Sequence, residues 1–280
     1  MTDRNMHAFE RHLAAASGEM AREAGRLLAR RHLSRYRKKF RIETKGTEID
    51  LVTDVDRKAD KLIVSRIKRL FPTHGIVSEE GGTKTGGGDY TWIIDPIDGT
   101  TNFVHGYPFF AVSIGIEHDG EMIVGCVYDP LRDEMFSARK GKGARLNGRR
   151  IAVSETSRLD RSLLATGFPY DVKNGGENNI DYWERFLLEA RALRRDGSAA
   201  LDLCYVAAGR FDGFWELKLK PWDLAAGLLM VAEAGGKTSD FKGRPASIYS
   251  REILADNGLL HNPMLKVLDS TGTVPRKGAR

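Results

Sequence analysis

In the run Trp92-Ile93-Ile94-Asp95-Pro96-Ile97-Asp98-Gly99-Thr100-Thr101-Asn102-Phe103, an apolar strand ends on two carboxylates and passes at once into a turn of Gly and paired Thr. Carboxylates are hard oxygen ligands of the kind Mg²⁺ takes. The first backbone N–H groups of a helix opening at Gly99 and Thr100 lack internal partners and receive phosphate oxygens. An ordinary turn also uses Asp, Pro and Gly, but it needs neither two acids nor two threonines behind a buried strand. Two carboxylates held this close repel each other unless a cation lies between them. Pro96 restricts the backbone between them, and the carbonyl of Ile97, exposed in the turn, offers a further oxygen. The run predicts a metal-assisted phosphate site.

Two other stretches carry matching chemistry. Glu79 and Glu80 follow an apolar strand and precede a glycine-rich segment. Alone such a pair is solvated surface; beside the first run, one of them completes a metal shell or orients a water. In Lys220-Pro221-Trp222-Asp223-Leu224-Ala225-Ala226-Gly227, Asp223 stands at or just before an apolar helix. In isolation it reads as an N-cap. The small residues after it allow close helix packing and let the helix start approach a ligand.

The elements that must position these residues follow from periodicity. Phe9, Leu13, Ala16, Met20, Ala24, Leu27 and Leu28 recur at helical spacing and predict a helix over 7–33. Tyr36 to Ile42 alternates apolar and charged residues, as a strand does, and Lys45-Gly46 makes a turn. Thr53 or Asp54 caps a second helix that ends at Phe71-Pro72. A short strand over Gly75–Ser78 leads to the Glu pair, and Gly81 to Gly88 reads as a mobile surface loop. Strands over Tyr90–Ile94, Ala111–Glu117, Met122–Tyr128 and Glu134–Ala138 follow, the middle two joined by a hairpin at Asp119-Gly120. After a shift near residue 150 come a strand over Leu163–Thr166, a polar loop over Asp171–Asn179 and a helix over Tyr182–Leu193. Then follow a helix over Ser198–Ala208, a strand over Phe211–Leu217 and an apolar helix over Asp223–Ala234, closed by Gly235-Gly236. A late strand over Ile253–Ala255, a last helix over Asn262–Leu268 and a frayed tail from Thr271 complete the chain. This order predicts a layered α/β (α+β) sandwich rather than a doubly wound parallel sheet. It divides into an N-terminal half, 1–150, with the strand-end motif, and a C-terminal half, 151–280, with Asp223, the two forming one catalytic unit.

The composition sets the bounds. At 280 residues the chain is long enough for one large domain or two moderate ones. No apolar run approaches the roughly 18 residues of a membrane span, and the N-terminus lacks the apolar core of a signal peptide, so a cytoplasmic protein is expected. Cys126 and Cys204 belong to no CxxC pair and read as buried free thiols. Of the net charge of +6, much lies between Arg30 and Arg41. That basic face reads first as solvated surface, and second as a surface for RNA or an acidic partner.

The three elements together, in this order and spacing, resemble the inositol monophosphatase family, the lithium-sensitive, Mg²⁺-dependent sugar phosphatases. Trp92 to His105 is similar to the family's WIIDPIDGTTNFVH signature and Trp222 to Gly227 to its WDxAAG signature; Asp50 to Asp56 and Gly197 to Ala200 extend the likeness. The resemblance implies the family's sandwich of alternating helix and sheet layers. It implies Glu79, Asp95 and the Ile97 carbonyl as ligands of a first Mg²⁺, and Asp95, Asp98 and Asp223 as those of a second. A third, weaker ion would be held by Glu79 through water, giving two to three ions per subunit. Thr100 resembles the residue that helps activate water, with Glu79, and Asp56 its hydrogen-bond partner. Asp98, Gly99, Thr100 and Asp223 resemble the residues around the phosphate; Gly197, Ser198, Ala199 and Glu216 resemble those around the sugar hydroxyls. Lys45 resembles a mobile-loop lysine. The implied reaction is hydrolysis of myo-inositol 1-phosphate by a homodimer. Fructose 1,6-bisphosphate, 3′-phosphoadenosine 5′-phosphate and histidinol phosphate are the alternative substrates, and association with the transcription machinery is an added role.

Overall fold

The computed structural model describes residues 3–34, 42–44, 51–84, 88–173, 176 and 178–269. Lys45, most of the expected strand over 36–42 and the tail from 271 lie outside them. Two N-terminal helices, α1 (Asp3–Ser34) and α2 (Asp54–Leu70), flank a short antiparallel pair, β1 (Ile42–Thr44) and β2 (Leu51–Thr53). Thr53 is the cap of α2. Its hydroxyl accepts from the N–H of Val55 and, more weakly, of Asp56, while the Asp56 carboxylate accepts from the Thr53 N–H at 2.8 Å.

The larger sheet contains β3 (Gly75–Ser78), β4 (Gly82–Lys84), β5 (Tyr90–Asp98), β6 (Ala111–His118), β7 (Glu121–Asp129), β8 (Glu134–Arg139), β9 (Ala144–Leu146) and β10 (Arg149–Arg150). Its spatial order is β10-β9-β8-β7-β6-β5-β3-β4, antiparallel except where β3 runs parallel to β5. The segment expected to be a mobile loop from Gly81 therefore begins as an edge strand: Gly82–Lys84 turns back on β3, Ser78 opposite Gly82. The helix α3 (Thr100–His105) bridges β5 and β6. Asp119 and Gly120 both take positive φ, as a two-residue hairpin turn requires.

The second sheet is built from β11 (Leu163–Thr166), β12 (Ala192–Arg194), β13 (Gly213–Leu217), β14 (Lys237–Ser239) and β15 (Glu252–Asp256), in the order β12-β11-β13-β15-β14. Its helices are α4 (Ile180–Glu189), α5 (Ala199–Ala207), α6 (Pro221–Glu233) and α7 (His261–Asp269). The helix expected to run to Leu193 ends at Glu189. Leu193 continues the helical spacing of Phe186, Leu187 and Ala190, but Ala192–Arg194 pairs in parallel with β11 instead.

Alternation along the strands separates three cores. Trp92, Ile94 and Ile97 of β5 face α1 and α2, whereas Ile93 faces α5 and α6. In the second sheet Ala165, Phe214 and Ala255 face α5 and α6, whereas Leu164, Trp215 and Leu254 face α4 and α7. The result is a layered α/β sandwich, helix–sheet–helix–sheet–helix, as the sequence predicts. The central helices α5 and α6 touch a sheet on either side. That is why nearly all of Leu224–Val231 is apolar and buried, and why Gly115 and Gly125 lie under Ala225 and Ala226, where an added Cβ would collide. No helix among the described residues is long and apolar enough to cross a membrane. Both cysteines are buried and unpaired.

Candidate active site

The strand carrying Asp95 and Asp98 contains a bulge. Asp95 pairs with Ser113 and Asp98 with Ala111, so two residues of β5 oppose the single Val112 of β6. Pro96, which has no N–H to give to the ladder, falls in that interruption. Residues three apart on a regular strand face opposite sides. The extra residue cancels this, and Asp95 and Asp98 both reach the face where α5 and α6 lie. Ile94 and Ile97, also three apart, both face the other core by the same arithmetic. The sequence predicts the strand only to Ile94; it runs on to Asp98.

The far end of the site is the start of α6. Pro221 occupies its first turn and Asp223 its third residue, so Asp223 is not the N-cap; its Oδ2 accepts from the Lys220 N–H at 2.8 Å. One carboxylate oxygen each from Asp95, Asp98 and Asp223 lies within 4.8 Å of the others. Asp98 is also anchored by α5: its Oδ2 accepts from Ser198 Oγ at 2.6 Å and from the Ala200 N–H at 2.7 Å. Asp98 thus caps a helix from another part of the chain, which directs the Ser198 hydroxyl onto a carboxylate.

Burial dominates the electrostatics. The Asp95 carboxyl is pushed well above the usual carboxylate range, first by burial, then by Glu79, Asp98 and Asp223, and it is hydrogen-bonded to Glu79. Asp223 is raised well above it too, by burial and then by Asp98. Asp98 rises only to about 6, because the bonds from Ser198 and Ala200 favour its ionised form.

Around the acids the predicted residues gather in one cleft of about 450 Å³, which Glu79, Ile97, Thr100 and Glu216 also line. Thr100 Oγ1 lies 2.9 Å from Asp56 Oδ1 and 3.0 Å from the Ile97 carbonyl. Asp56, fully buried, has its proton affinity raised by desolvation against the bonds from Thr53 and Thr100. Gly99 has φ of +98°, and a Cβ there would press on the Phe109 carbonyl at 3.0 Å, so only glycine suits the turn. Asn102 ties that turn to the neighbouring loop, its Nδ2 lying 2.7 Å from both the Phe109 and Asp196 carbonyls. Gly197, Ser198 and Ala199 line the opposite wall.

Four residues that sequence reasoning passed over belong to the cleft or its support. Gly167 leaves room for Glu216, whose carboxylate a Cβ there would overlap; burial pushes Glu216 up to about 8. Arg195 and Asp202 line the same end. Asn179, at the close of the polar loop, bonds the Gly167 carbonyl, Thr166 Oγ1 and Trp215 Nε1 and so fixes both walls beside Glu216. The only signal for these was position: Gly167 follows a strand end, and Asp202 sits in an otherwise apolar helix. Glu80 is partly buried beyond the end of β3 and does not line the cleft.

Residues 10–272 match the inositol monophosphatase family. Among curated proteins, the chain is 49% identical over 218 residues to the Nus factor SuhB of Pseudomonas aeruginosa, covering 74% of this chain and 79% of that protein. Among solved structures, the extragenic suppressor protein SuhB of Bartonella henselae superposes with a TM-score of 0.87 at 38% identity, over 93% of this chain and 100% of the other. The inositol monophosphatase of Anabaena superposes with a TM-score of 0.83 at 39% identity, over 94% and 96% of the two chains.

Proposed function

The chain belongs to the inositol monophosphatase family of phosphatases, and we propose that it hydrolyses myo-inositol 1-phosphate to inositol and phosphate with Mg²⁺ as its cofactor. The observation that carries the reading is the meeting of Asp95, Asp98 and Asp223, with oxygens within 4.8 Å of one another in a cleft. Buried acids this close raise one another's proton affinity, and a hard divalent cation with oxygen ligands relieves that strain. Glu79, Asp95 and the Ile97 carbonyl would hold one ion, and Asp95, Asp98 and Asp223 a second. Glu79 would hold a weaker third through water. Bound there, Mg²⁺ would supply positive charge for the phosphate oxygens and lower the pKa of water.

The rest is the work of the chain. Thr100 directs its hydroxyl proton toward Asp56 or Ile97, which leaves an oxygen lone pair to accept a hydrogen bond from the attacking water. Glu79 is the second acceptor for that water, and the two orient it for in-line attack. The N–H groups after Gly99 meet the phosphate. Glu216, with Gly197, Ser198 and Ala199, receives the hydroxyl-bearing leaving group. Glu216 favours a polyol over fructose 1,6-bisphosphate, 3′-phosphoadenosine 5′-phosphate or histidinol phosphate. The halves 1–150 and 151–280 act as one catalytic unit, since Asp95 and Asp98 come from the first and Asp223 from the second. Family membership supports extending the reading to inhibition by lithium and to a cytoplasmic homodimer.

The test is phosphate release from a panel of these substrates, with and without Mg²⁺. Asp95→Asn should lower Mg²⁺-dependent release by about three orders of magnitude or more, the scale of losing charge stabilisation in a buried site. Near-normal turnover by that variant would overturn the ligand assignment. A second role, binding the transcription machinery, is favoured by the name Nus factor that a relative carries. A pull-down at two salt concentrations addresses it: capture through nucleic acid should collapse at the higher salt.

A further inference from the structure

Asp202 is the one acid lining the cleft that the phosphatase reading does not use. It stands in the first turn of α5, 1% exposed, and its Oδ1 has no hydrogen-bond partner among the described residues. An acid oxygen buried without a partner is costly. It is the one charged residue of a helix that is otherwise apolar, Ala-Ala-Leu-Asp-Leu-Cys-Tyr-Val-Ala. The charges that act on it are Asp196, then Glu216 and Asp98, with Arg195 opposing them. Arg195 acts in the same way on Glu216.

We propose that Asp202 is a specificity-determining residue whose carboxyl, paired with Glu216, recognises adjacent hydroxyl groups of the alcohol being released. This inference rests on the phosphatase reading above. Burial raises both carboxyls, Glu216 to about 8. Burial first, then Asp196, Glu216 and Asp98, raise the proton affinity of Asp202 well above the usual carboxylate range, and a protonated carboxyl offers an O–H donor and an acceptor oxygen. Glu216 adds acceptor oxygens. A hydroxyl donating to Glu216 beside one that accepts from Asp202 satisfies both walls at once, and only a polyol brings two such groups on neighbouring carbons. An alcohol without them leaves a buried carboxyl unsatisfied, and this asymmetry is what lets a polar pocket reject an analogue.

The experiment compares kcat/KM for myo-inositol 1-phosphate with that for cyclohexyl phosphate, the same ring without its hydroxyls. Asp202→Leu keeps the branched outline of the side chain, with bulkier ends, and removes both oxygens; it should lower the inositol-to-cyclohexyl ratio by about tenfold, one hydrogen bond's worth. Asp202→Asn keeps a donor and an acceptor and should hold the ratio within about threefold. Melting temperatures of both variants check that they fold, and Asp202→Leu should be at least as stable as the parent because a buried unpaired acid is gone. Equal proportional losses on both substrates, or an unchanged ratio in a folded Asp202→Leu, would overturn the proposal. Failure of the unaltered protein to release phosphate from either ester with Mg²⁺ would instead sink the phosphatase reading, and this inference with it.

Discussion

At the scale of single residues the cleft is a set of carboxyl groups whose burial works against their charge. Glu216 shows the consequence most simply, because its shift has one dominant cause. Desolvation lifts it from 4.5 to about 8, opposed only partly by Arg195. Between those values the folded, metal-free protein binds a proton that the unfolded chain has released. The contribution of Glu216 to stability is therefore most favourable below pH 4.5 and falls as the pH rises toward about 8. One such proton is worth up to about 1.4 kcal/mol per pH unit. Glu216→Gln has no proton to lose, so its melting temperature should gain on the parent's steadily across that window. Parallel melting curves for the two proteins at every pH would show that Glu216 is solvated and ordinary.

At the scale of elements, what matters is which loops are tied to one another. Asn102 fastens the turn after β5 to the Asp196–Gly197 segment before α5. Asn102→Ala should leave a buried carbonyl without its donor, cost about 1–3 kcal/mol by thermal unfolding and lower kcat more than it raises KM, because the two walls then close less exactly on the reacting group. A loss confined to KM would mean that the clasp serves only to bind. Most of these elements were legible in the sequence. Helical spacing located α1 and α2, β6 and β7 were expected as strands, and Asp119-Gly120 located their turn. What was not legible has a common cause: it depends on a partner far away in the chain. Leu193 keeps step with the helix before it, and only pairing with β11 makes it a strand residue. The bulge at Pro96 and Ile97 is defined by how β6 lies alongside. Gly167 has a reason only once Glu216 is beside it. The acids of the site were visible individually, but their meeting depends on where α6 docks.

At the scale of the molecule, that docking brings like charges together. The helix α6 is held between two sheets by apolar contact along most of its length, and it carries Asp223 against Asp95 and Asp98 as a result. Cohesion of the core thus sustains a local repulsion, and a cation that relieves it should stabilise the whole fold. Mg²⁺ should raise the melting temperature of metal-stripped protein. The rise should be larger near pH ~8 than near pH ~5, because protons compete for carboxyls whose affinity is raised, Asp98 to about 6 and Asp95 and Asp223 further. At a hundred times the dissociation constant the gain is about 2.7 kcal/mol. No shift with Mg²⁺ at either pH would mean that the three acids hold no ion.

The bulge in β5 has one more consequence. Acids two residues apart on a regular strand would already share a face; spacing them three apart and bulging the chain between them puts the Ile97 carbonyl at the interruption of the ladder, where the Thr100 hydroxyl meets it. A ligand of that kind is invisible to side-chain replacement, since any apolar residue that fits at position 97 brings the same oxygen. Alanine scanning would register Asp95, Asp98 and Asp223 in the chemistry and Ile97 only as a core side chain whose truncation loosens the fold. Only deleting a residue between the two acids, which restores the regular ladder, would ask whether the backbone itself is part of the site.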